Sequence, residues 1–290
     1  MRIGIASGKG GAGKTMLAAS LHSVWPTQHI LVDCDVEAPN LHFFAHPHID
    51  QTWTVTLPVP QAVTEACSHC GLCRDICRYG AIAKFGQNIV VFPDLCHGCG
   101  GCFAVCQEKA LVTGTRELGR IEQGSCGDTA YFSGCTRVGE VMTPPLLRKL
   151  LALLPEQTPA DVIVDCPPGV SCPAVTVARR VDAMVLVADP TPFGYADFCL
   201  AYEAFHALGL PLACVLNRCA MPGNEGGDEK LKTFCQTHGI PVAGEVPFTR
   251  EAAHALAQGR LLPELSPDWR TRFEQLCANL QRIFGEVQHG

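Results

Sequence analysis

The sequence predicts an α/β fold in which a mainly parallel sheet is flanked by helices, interrupted once by a small cysteine-rich α+β domain. Short apolar strands that alternate with helical patterns are typical of parallel sheets covered on both faces. One stretch breaks the alternation, because it is dense in cysteine and shows little helical periodicity. We therefore predict one domain from residues 1–58 and 114–290, with an inserted domain over residues 59–113.

The first half of the main domain is predicted as a strand, a glycine-rich loop, a helix and a second strand. Arg2–Ser7 is a short buried strand, and the helix after the loop covers Thr15–Val24. Ile30–Asp33 is the next buried strand, because its first three residues are all large and apolar. Pro58 and Pro60 then mark a break in this pattern of strands and helices.

The second half begins after the cysteine-rich stretch. Residues Glu117–Cys135 predict a hairpin with its turn at Gly124–Gly127, and a helix follows Pro145. Strands and helices then alternate again, and two helices end the chain. The strands predicted here are Val162–Asp165, Ala183–Ala188, Leu212–Leu216 and Pro241–Val246, and a helix is predicted over Glu229–His238.

Composition limits the possible functions. A chain of 290 residues with 47% hydrophobic residues can bury a full core. Its net charge of −6 argues against wrapping nucleic acid, which requires clustered Lys and Arg. No apolar run approaches the roughly 20 residues of a membrane span. Eighteen cysteines, in a large chain that shows no export-signal pattern, indicate metal ligands in a reducing cytoplasm.

A glycine-rich loop joins the first strand to the first helix. Its sequence, Gly8-Lys9-Gly10-Gly11-Ala12-Gly13-Lys14-Thr15, matches the P-loop motif G-x-x-x-x-G-K-T. Backbone N–H groups in such a loop surround phosphate oxygens, and the helix N-terminus favours negative charge. Lys14 is expected to reach the β- and γ-phosphates, and Thr15 to ligate Mg²⁺. The motif therefore predicts a P-loop NTPase fold with an ATP site.

Lys9 adds a second lysine to this loop, and the run K-G-G-x-G-K-T resembles the deviant Walker motif of the MinD/Mrp/ParA ATPases. Further segments resemble that family in the same order along the chain. They are a switch I-like run from Asp33 to Leu41, a Walker B and switch II-like run from Val162 to Gly169, and adenine-binding positions at Asn217, Arg218, Pro247 and Phe248.

The resemblance implies a role for each matching residue. Lys9 would reach across a dimer interface to the partner's nucleotide, and Asp35 would position the attacking water. Asp165 would bind Mg²⁺ through water, with Asp33 supporting the metal from behind. The alternative for these carboxylates is a strand-end cap or a turn residue. The implied assembly is a nucleotide-dependent dimer, either a homodimer or a heterodimer with a sister ATPase.

Two cysteine motifs with the same spacing, C-x-x-C-x-x-C-x-x-x-C, lie in the predicted insertion. This is the spacing of bacterial two-cluster ferredoxins, in which the fourth cysteine of a motif ligates the other cluster. The spacing therefore predicts two 4Fe–4S clusters. The predicted ligands are Cys67, Cys70, Cys73 and Cys106 for the first cluster and Cys96, Cys99, Cys102 and Cys77 for the second.

Zinc is the alternative occupant, although zinc sites take four ligands in two pairs. The segment departs from the ferredoxin pattern at Arg78 and Gln107, which replace the proline that usually follows the fourth cysteine. Taken together, the loop and the cysteine motifs resemble MinD/Mrp-type ATPases with an inserted two-cluster ferredoxin domain.

Two features lie outside these motifs. Cysteines near the implied dimer interface could hold a shared cluster, although a small buried hydrophobe is the favoured interpretation. They are Cys126, Cys135, Cys166 and Cys172. The apolar stripe from Trp269 to Phe284 resembles the membrane-binding helix of MinD. Glu274 and Glu286 dilute its basic residues, so core packing is favoured and membrane binding is not expected.

Three functions are open at this point. The favoured one is an ATPase that couples nucleotide binding and hydrolysis to electron transfer, or to assembly of a metal–sulfur cofactor, on an unidentified client metalloprotein or with an electron donor. The alternatives are a positioning ATPase of the MinD kind, and a ferredoxin electron carrier whose docking is regulated by nucleotide. The clusters favour the first and third, because positioning requires no redox centre.

Overall fold

The computed structural model describes residues 1–62, 64–155, 160–224 and 226–287. The chain divides into two compact units. The P-loop unit consists of Met1–Thr52, Ile121–Cys135 and Leu147–Gly290, and the cysteine-rich unit consists of Trp53–Arg120 and Thr136–Leu146. The bounds predicted for the ferredoxin domain, residues 59 and 113, lie inside the cysteine-rich unit and stay a prediction.

Nine strands of the described chain form one sheet, in the order β11-β10-β9-β1-β8-β2-β7-β6-β3. In chain order these strands are β1 (Arg2–Ala6), β2 (His29–Asp33), β3 (His48–Ala62), β6 (Leu111–Cys126), β7 (Thr129–Thr136), β8 (Asp161–Asp165), β9 (Ala183–Ala188), β10 (Leu212–Cys219) and β11 (Val242–Pro247). All pairings from β11 through to β7 are parallel. The predicted P-loop fold with a mainly parallel sheet is therefore confirmed.

Helices cover this sheet. They are α1 (Lys14–Val24), α2 (His42–Ala45), α5 (Pro144–Ala152), α6 (Cys172–Ala178), α7 (Pro192–His206), α8 (Gly227–Thr237), α9 (Arg250–Ala257) and α10 (Pro267–Val287). Helices α1 and α10 pack on each other and contact β1, β8 and β11, whereas α7 and α8 pack together against β9 and β10. Alternate residues of a strand face opposite sides. Ile3 and Ile5 accordingly belong to the core beneath α1 and α10.

The C-terminal helix α10 contributes its apolar stripe to this core. Phe273, Leu276, Leu280 and Phe284 are each no more than 2% exposed. Burying a side chain of this size contributes about 1.5–3 kcal/mol. The stripe is thus a packing face, as the sequence indicated. No helix among the described residues is long and apolar enough to cross a membrane.

Two local predictions are wrong. Pro58 and Pro60 do not break the chain's regular structure, because both lie inside strand β3. Strand β3 is at the edge of the sheet, where a residue without an N–H group is tolerated. The hairpin turn also lies later than predicted: β6 continues to Cys126, and Gly127 supplies the positive φ of 57° at the turn.

The cysteine-rich unit contains two short helices, α3 (Leu72–Ile76) and α4 (Gly101–Val105), which contact each other. A separate two-stranded antiparallel sheet consists of β4 (Ile82–Phe85) and β5 (Asn88–Val91). Each short helix begins after a glycine with positive φ, Gly71 at 87° and Gly100 at 75°. The two cysteine motifs therefore adopt the same loop-and-helix geometry.

Candidate functional site

The glycine-rich loop leaves β1 and enters α1 with little space around its last glycine. Gly13 has a φ of 100°, and a Cβ atom at this position would lie 2.2 Å from Nδ2 of Asn217. A side chain is thus excluded both by the backbone conformation and by the close neighbour. Gly8 is similarly restricted, since its Cβ would lie 1.9 Å from the carbonyl oxygen of Asp197.

Two side chains at the end of β10 hold the loop from one side. Asn217 donates from Nδ2 to the carbonyl oxygen of Ala12 at 2.8 Å. Arg218 donates from Nη2 to the carbonyl oxygen of Gly11, also at 2.8 Å, and its Nη1 pairs with Asp189 at 2.9 Å. These hydrogen bonds from the end of β10 therefore hold the loop in its conformation.

A cavity of about 880 Å³ opens on this loop. The predicted site residues that line it are Gly10, Gly11, Gly13, Lys14, Thr15 and Asp35. A second cavity of about 290 Å³ is lined by all four predicted adenine-binding residues, Asn217, Arg218, Pro247 and Phe248. Gly13, Met16 and Leu256 line both cavities. The two cavities thus meet at the end of the loop.

Three carboxylates lie at the strand ends beside the larger cavity. Asp33 is fully buried and accepts hydrogen bonds from the backbone N–H groups of Asp35 and Leu41, both at 3.0 Å. Burial, followed by the charge of Asp165, raises its pKa well above the usual value. Burial also raises the pKa of Asp35, against the opposing charge of Lys14.

Asp165 at the end of β8 is the least satisfied of these groups. It is fully buried, and neither carboxylate oxygen has a hydrogen bond in good geometry. Burial raises its pKa to about 7, although the Thr15 hydroxyl and the Lys14 charge favour the ionised form. A buried acceptor without a donor is costly, and a hydrated cation would satisfy it.

The two lysines of the loop have different surroundings. Lys14 is 5% exposed, and its charge acts on both Asp35 and Asp165. Lys9 is about one-third exposed and forms an ion pair with Asp197 of its own chain at 3.9 Å. Of the two loop lysines, only Lys14 therefore acts on Asp35 and Asp165.

A family model for the CobQ/CobB/MinD/ParA nucleotide-binding domain matches residues 3–262. The chain belongs to this family. It is a nucleotide-binding ATPase of the MinD/ParA type. An uncharacterized protein of Methanocaldococcus jannaschii, MJ0578, is 30% identical over 249 residues, which cover 85% of this chain and 86% of the relative.

Solved MinD structures share the fold of this family member. The cell division ATPase MinD of Pyrococcus furiosus superposes with a TM-score of 0.57 at 18% identity, covering 97% of this chain and 98% of its own. MinD of Pyrococcus horikoshii, solved with Mg-ADP, gives the same TM-score and identity over 98% and 97% of the two chains. At this identity the likeness concerns the fold alone.

The cysteine-rich unit holds two further cavities, each surrounded by four thiols. One is lined by Cys67, Cys70, Cys73 and Cys106, and the other by Cys77, Cys96, Cys99 and Cys102. Each set takes three cysteines from one motif and the fourth from the other motif. The arrangement fits the two predicted ligand sets, so the residues present suit two four-thiolate groups.

The thiols line these cavities without converging on a point. Among the residues that the structure describes, no three His, Cys, Asp or Glu side chains form a set that could hold a metal ion. The backbone N–H of Ala110 donates to Sγ of Cys106 at 3.2 Å, and that of Gly98 to Sγ of Cys96 at 3.4 Å. One sulfur in each set of four therefore accepts a backbone hydrogen bond.

A short relative matches part of the chain. Ferredoxin-1 of Chlorobaculum tepidum is 33% identical over 58 residues, which cover 18% of this chain and 94% of the ferredoxin. This short match is an indication of an iron–sulfur domain in this ATPase and no more.

The four cysteines considered for a shared cluster have dissimilar environments. Cys166 is buried and Cys172 is exposed, while Cys126 and Cys135 are half-buried. Burial raises the pKa of the Cys126 thiol to about 11. Burial raises the pKa of Cys73 and Cys102 as well, so this shift does not separate Cys126 from the predicted cluster ligands.

Several residues at the nucleotide cavities have no signal in the sequence. Asp189 holds Arg218, and Asp197 pairs with Lys9. The end of α9 adds Leu256 and Gly259 to the larger cavity. These residues lie far along the chain from the motif, and only the folded sheet brings them to it.

Proposed function

We propose that this ATPase couples its nucleotide cycle to two 4Fe–4S clusters, delivering electrons to, or assembling a metal–sulfur cofactor on, a client protein. The observation that carries the proposal is the pair of cavities lined by the two predicted sets of four cysteines. An ATPase site and two redox centres in one chain suit a function that requires both.

At the nucleotide site, the loop from Gly8 to Gly13 would bind the phosphates and Lys14 would neutralise the β- and γ-phosphates. Thr15 would ligate Mg²⁺ directly, and Asp165 would do so through water, since its buried oxygens have no hydrogen bond in good geometry. Asp33 would support the metal site by fixing the backbone at Asp35 and Leu41. MinD of P. horikoshii was solved with Mg-ADP, which supports Mg²⁺ and an adenine nucleotide as the ligands proposed here.

Asp35 would orient the attacking water, because its side chain lines the cavity that Lys14 also lines. Asn217, Arg218, Pro247 and Phe248 would receive the adenine in the adjoining cavity. Lys9 would act on the nucleotide of a second subunit, in a homodimer or a heterodimer, after leaving Asp197.

The clusters would supply one-electron chemistry when bound. Cys67, Cys70, Cys73 and Cys106 would hold one, and Cys77, Cys96, Cys99 and Cys102 the other. The peptide N–H groups of Gly98 and Ala110 would bond ligand sulfurs, which stabilises the charge on the thiolates. These residues therefore provide the binding and the electrostatic setting.

A MinD-like positioning ATPase is the second candidate. The structural relatives include MinD proteins and an McdA protein of Cyanothece, and these comparisons favour this candidate over the electron-transfer proposal. The buried stripe of α10 weighs against a membrane-binding helix of the MinD kind. A positioning function gives the two cysteine-lined cavities no role. For that reason we favour the proposal of an ATPase coupled to two 4Fe–4S clusters.

The clusters can be counted directly. Anaerobically purified chain is expected to carry about eight iron atoms, and Cys67→Ser is expected to reduce this to about four. Cys199→Ser, which changes a half-buried cysteine of α7 outside both cavities, serves as the matched control and should keep about eight. Iron-free wild-type protein, or zinc in its place, would refute the cluster proposal.

Coupling requires a second measurement. ATP turnover is compared in dithionite-reduced and oxidised samples of the cluster-loaded chain. A rate that depends on redox state supports coupling between the two units. Equal rates, together with client maturation that is unaffected when Lys14 is replaced by alanine, would leave the positioning candidate as the better account.

A further inference from the structure

A buried ion pair lies inside the cysteine-rich unit beside one of the two cysteine motifs. Arg116 on β6 pairs with Glu140, and the two side chains are 5% and 0% exposed. Nη2 of Arg116 also donates to the carbonyl oxygen of Cys96 at 3.1 Å. Removing two charges from water costs more than their attraction returns in many proteins. The pair therefore suggests a role other than stability.

Both carboxylate oxygens of Glu140 accept hydrogen bonds. Its Oε1 accepts from the backbone N–H groups of Val141 at 3.0 Å and Met142 at 2.8 Å. Its Oε2 accepts from Arg116 and, at 3.3 Å, from Nε of Arg137. With all its acceptor positions used, the carboxylate holds the guanidinium in one orientation.

The same network contacts the cysteine loop at a second point. Arg137 pairs with Asp94, which belongs to the short helix Pro93–Leu95 that leads directly into Cys96. The entry to the second motif is thus held at its carbonyl by Arg116 and at its preceding turn by Arg137. A planar guanidinium with several donors suits this double attachment better than a lysine does.

The first cysteine motif is contacted by a lysine instead of an arginine. Nζ of Lys84 donates to the carbonyl oxygen of His69, which lies between Cys67 and Cys70. Lys84 is half-buried, whereas Arg116 is buried and held by a buried carboxylate. Two motifs with identical spacing are therefore placed in unequal electrostatic surroundings.

We infer that Arg116, fixed by Glu140, is a positioning residue that sets the loop geometry and the reduction potential of the cluster held by Cys96, Cys99, Cys102 and Cys77, independently of the other cluster. The inference rests on the proposed function. The ion pair is neutral overall, but its positive end, the Arg116 guanidinium, is the part that contacts the ligand residue Cys96. A positive pole next to a ligand favours the cluster state with one more electron, and so raises its potential. In a buried setting the field of this oriented pair is weakly screened by solvent and salt.

The test is an EPR-monitored redox titration of the full anaerobic chain. Arg116→Met is combined with Glu140→Gln, because the single change would leave a buried carboxylate without its partner. We expect the reduction equilibrium constant of one cluster to fall about tenfold, a shift of about 59 mV for a one-electron couple, with the other unchanged. Lys84→Met is the matched control and should shift the other cluster instead.

The outcomes separate the inference from the proposed function. Loss of about four of eight iron atoms in the double variant, but not in Lys84→Met, would also support the positioning role. Two bound clusters with unmoved potentials would overturn the inference and leave the proposed function intact, even if thermal stability fell. Wild-type protein that binds no cluster under reconstitution would overturn both.

Discussion

The P-loop unit and the cysteine-rich unit build their sites in opposite ways. In the P-loop unit, Asn217 and Arg218 shape the loop through hydrogen bonds, above a large apolar core. In the cysteine-rich unit, the groups of buried apolar side chains are small and include cysteines. One such group consists of Ile82, Ile89 and Cys102. The first site is preformed by the protein, whereas under the proposed function the second would be completed by its clusters.

The largest expected effect is a loss of ATP turnover in the P-loop unit that leaves the cysteine-rich unit intact. Lys14→Ala removes the buried cation that we propose faces the phosphates, and we expect ATP turnover to fall at least about 100-fold. Because the cysteine-rich unit does not contain this residue, the iron content should stay unchanged. Turnover assays and iron analysis on the same sample check both statements.

Lys149→Ala is the matched control, since this exposed lysine of α5 lies in the same unit and away from the cavities. It should keep wild-type turnover. Hydrolysis that survives in Lys14→Ala would show that the preformed loop is not the catalytic site.

The second prediction concerns the occupant of the cysteine-rich unit. Chelation of iron should raise hydrogen exchange of the β4 and β5 amides by at least about tenfold, because a metal site contributes binding energy to folding. Amides of β1, β8 and β9 lie in the P-loop core and should keep their protection. Mass-spectrometric exchange resolves the two regions in one experiment, and equal protection of β4 before and after chelation would remove the contrast between the units.

The sequence predicted the P-loop unit well where local patterns decide the structure. Strand Ala183–Ala188 has the predicted bounds, because a run of apolar β-formers between polar residues has few alternatives. Strand β10 was predicted to stop at Leu216 but extends to Cys219. Pairing with β11 continues through Asn217, and such pairing is a tertiary property that a single segment does not show.

Long-range partners were beyond sequence reasoning. The approach of Asp197 to Gly8 and the pairing of Arg116 with Glu140 join residues that have no common motif. The cysteine motifs are the opposite case, because ligand spacing is a local property and the sorting of thiols between two cavities follows from it. The ligand sets can therefore be predicted from one segment, and they stay a prediction, whereas the long-range partners cannot be predicted in this way.

A third prediction uses the two ends of strand β8. At pH 8 without nucleotide, Asp165→Asn should raise Tm by about 5 °C, because it removes an ionised carboxylate from a position where burial outweighs the help of the Thr15 hydroxyl and the Lys14 charge. The pKa of about 7 in the folded chain lies above the ordinary value of 3.8. Stability from this group is therefore present below about pH 4 and is lost as the pH rises through 7. The gain in the variant should shrink accordingly toward acid pH.

Asp161, the first residue of the same strand, is the control with the opposite sign. Burial disfavours its ionised form, but hydrogen bonds from Trp25, the N-terminal amine and Thr27 outweigh this and hold its pKa below the usual value. Asp161→Asn should lower Tm at pH 8. Mg²⁺-ADP should stabilise the wild type and fail to stabilise Asp165→Asn, and equal stabilisation of both would exclude Asp165 from the metal site.

The smallest expected effect tests whether the loop is held by the protein before nucleotide binds. Asn217→Ala removes one hydrogen bond to the carbonyl oxygen of Ala12, for a net contribution of about 1 kcal/mol, so nucleotide affinity should fall about fivefold. Asn279→Ala removes an equivalent bond, from Nδ2 to the carbonyl oxygen of Ala243 at 2.8 Å, remote from both cavities. Calorimetric titration with ADP should show weaker binding in the first variant alone. An affinity loss of equal size in both variants would mean that the loop responds to overall stability, and the preformed character assigned to this site would then be wrong.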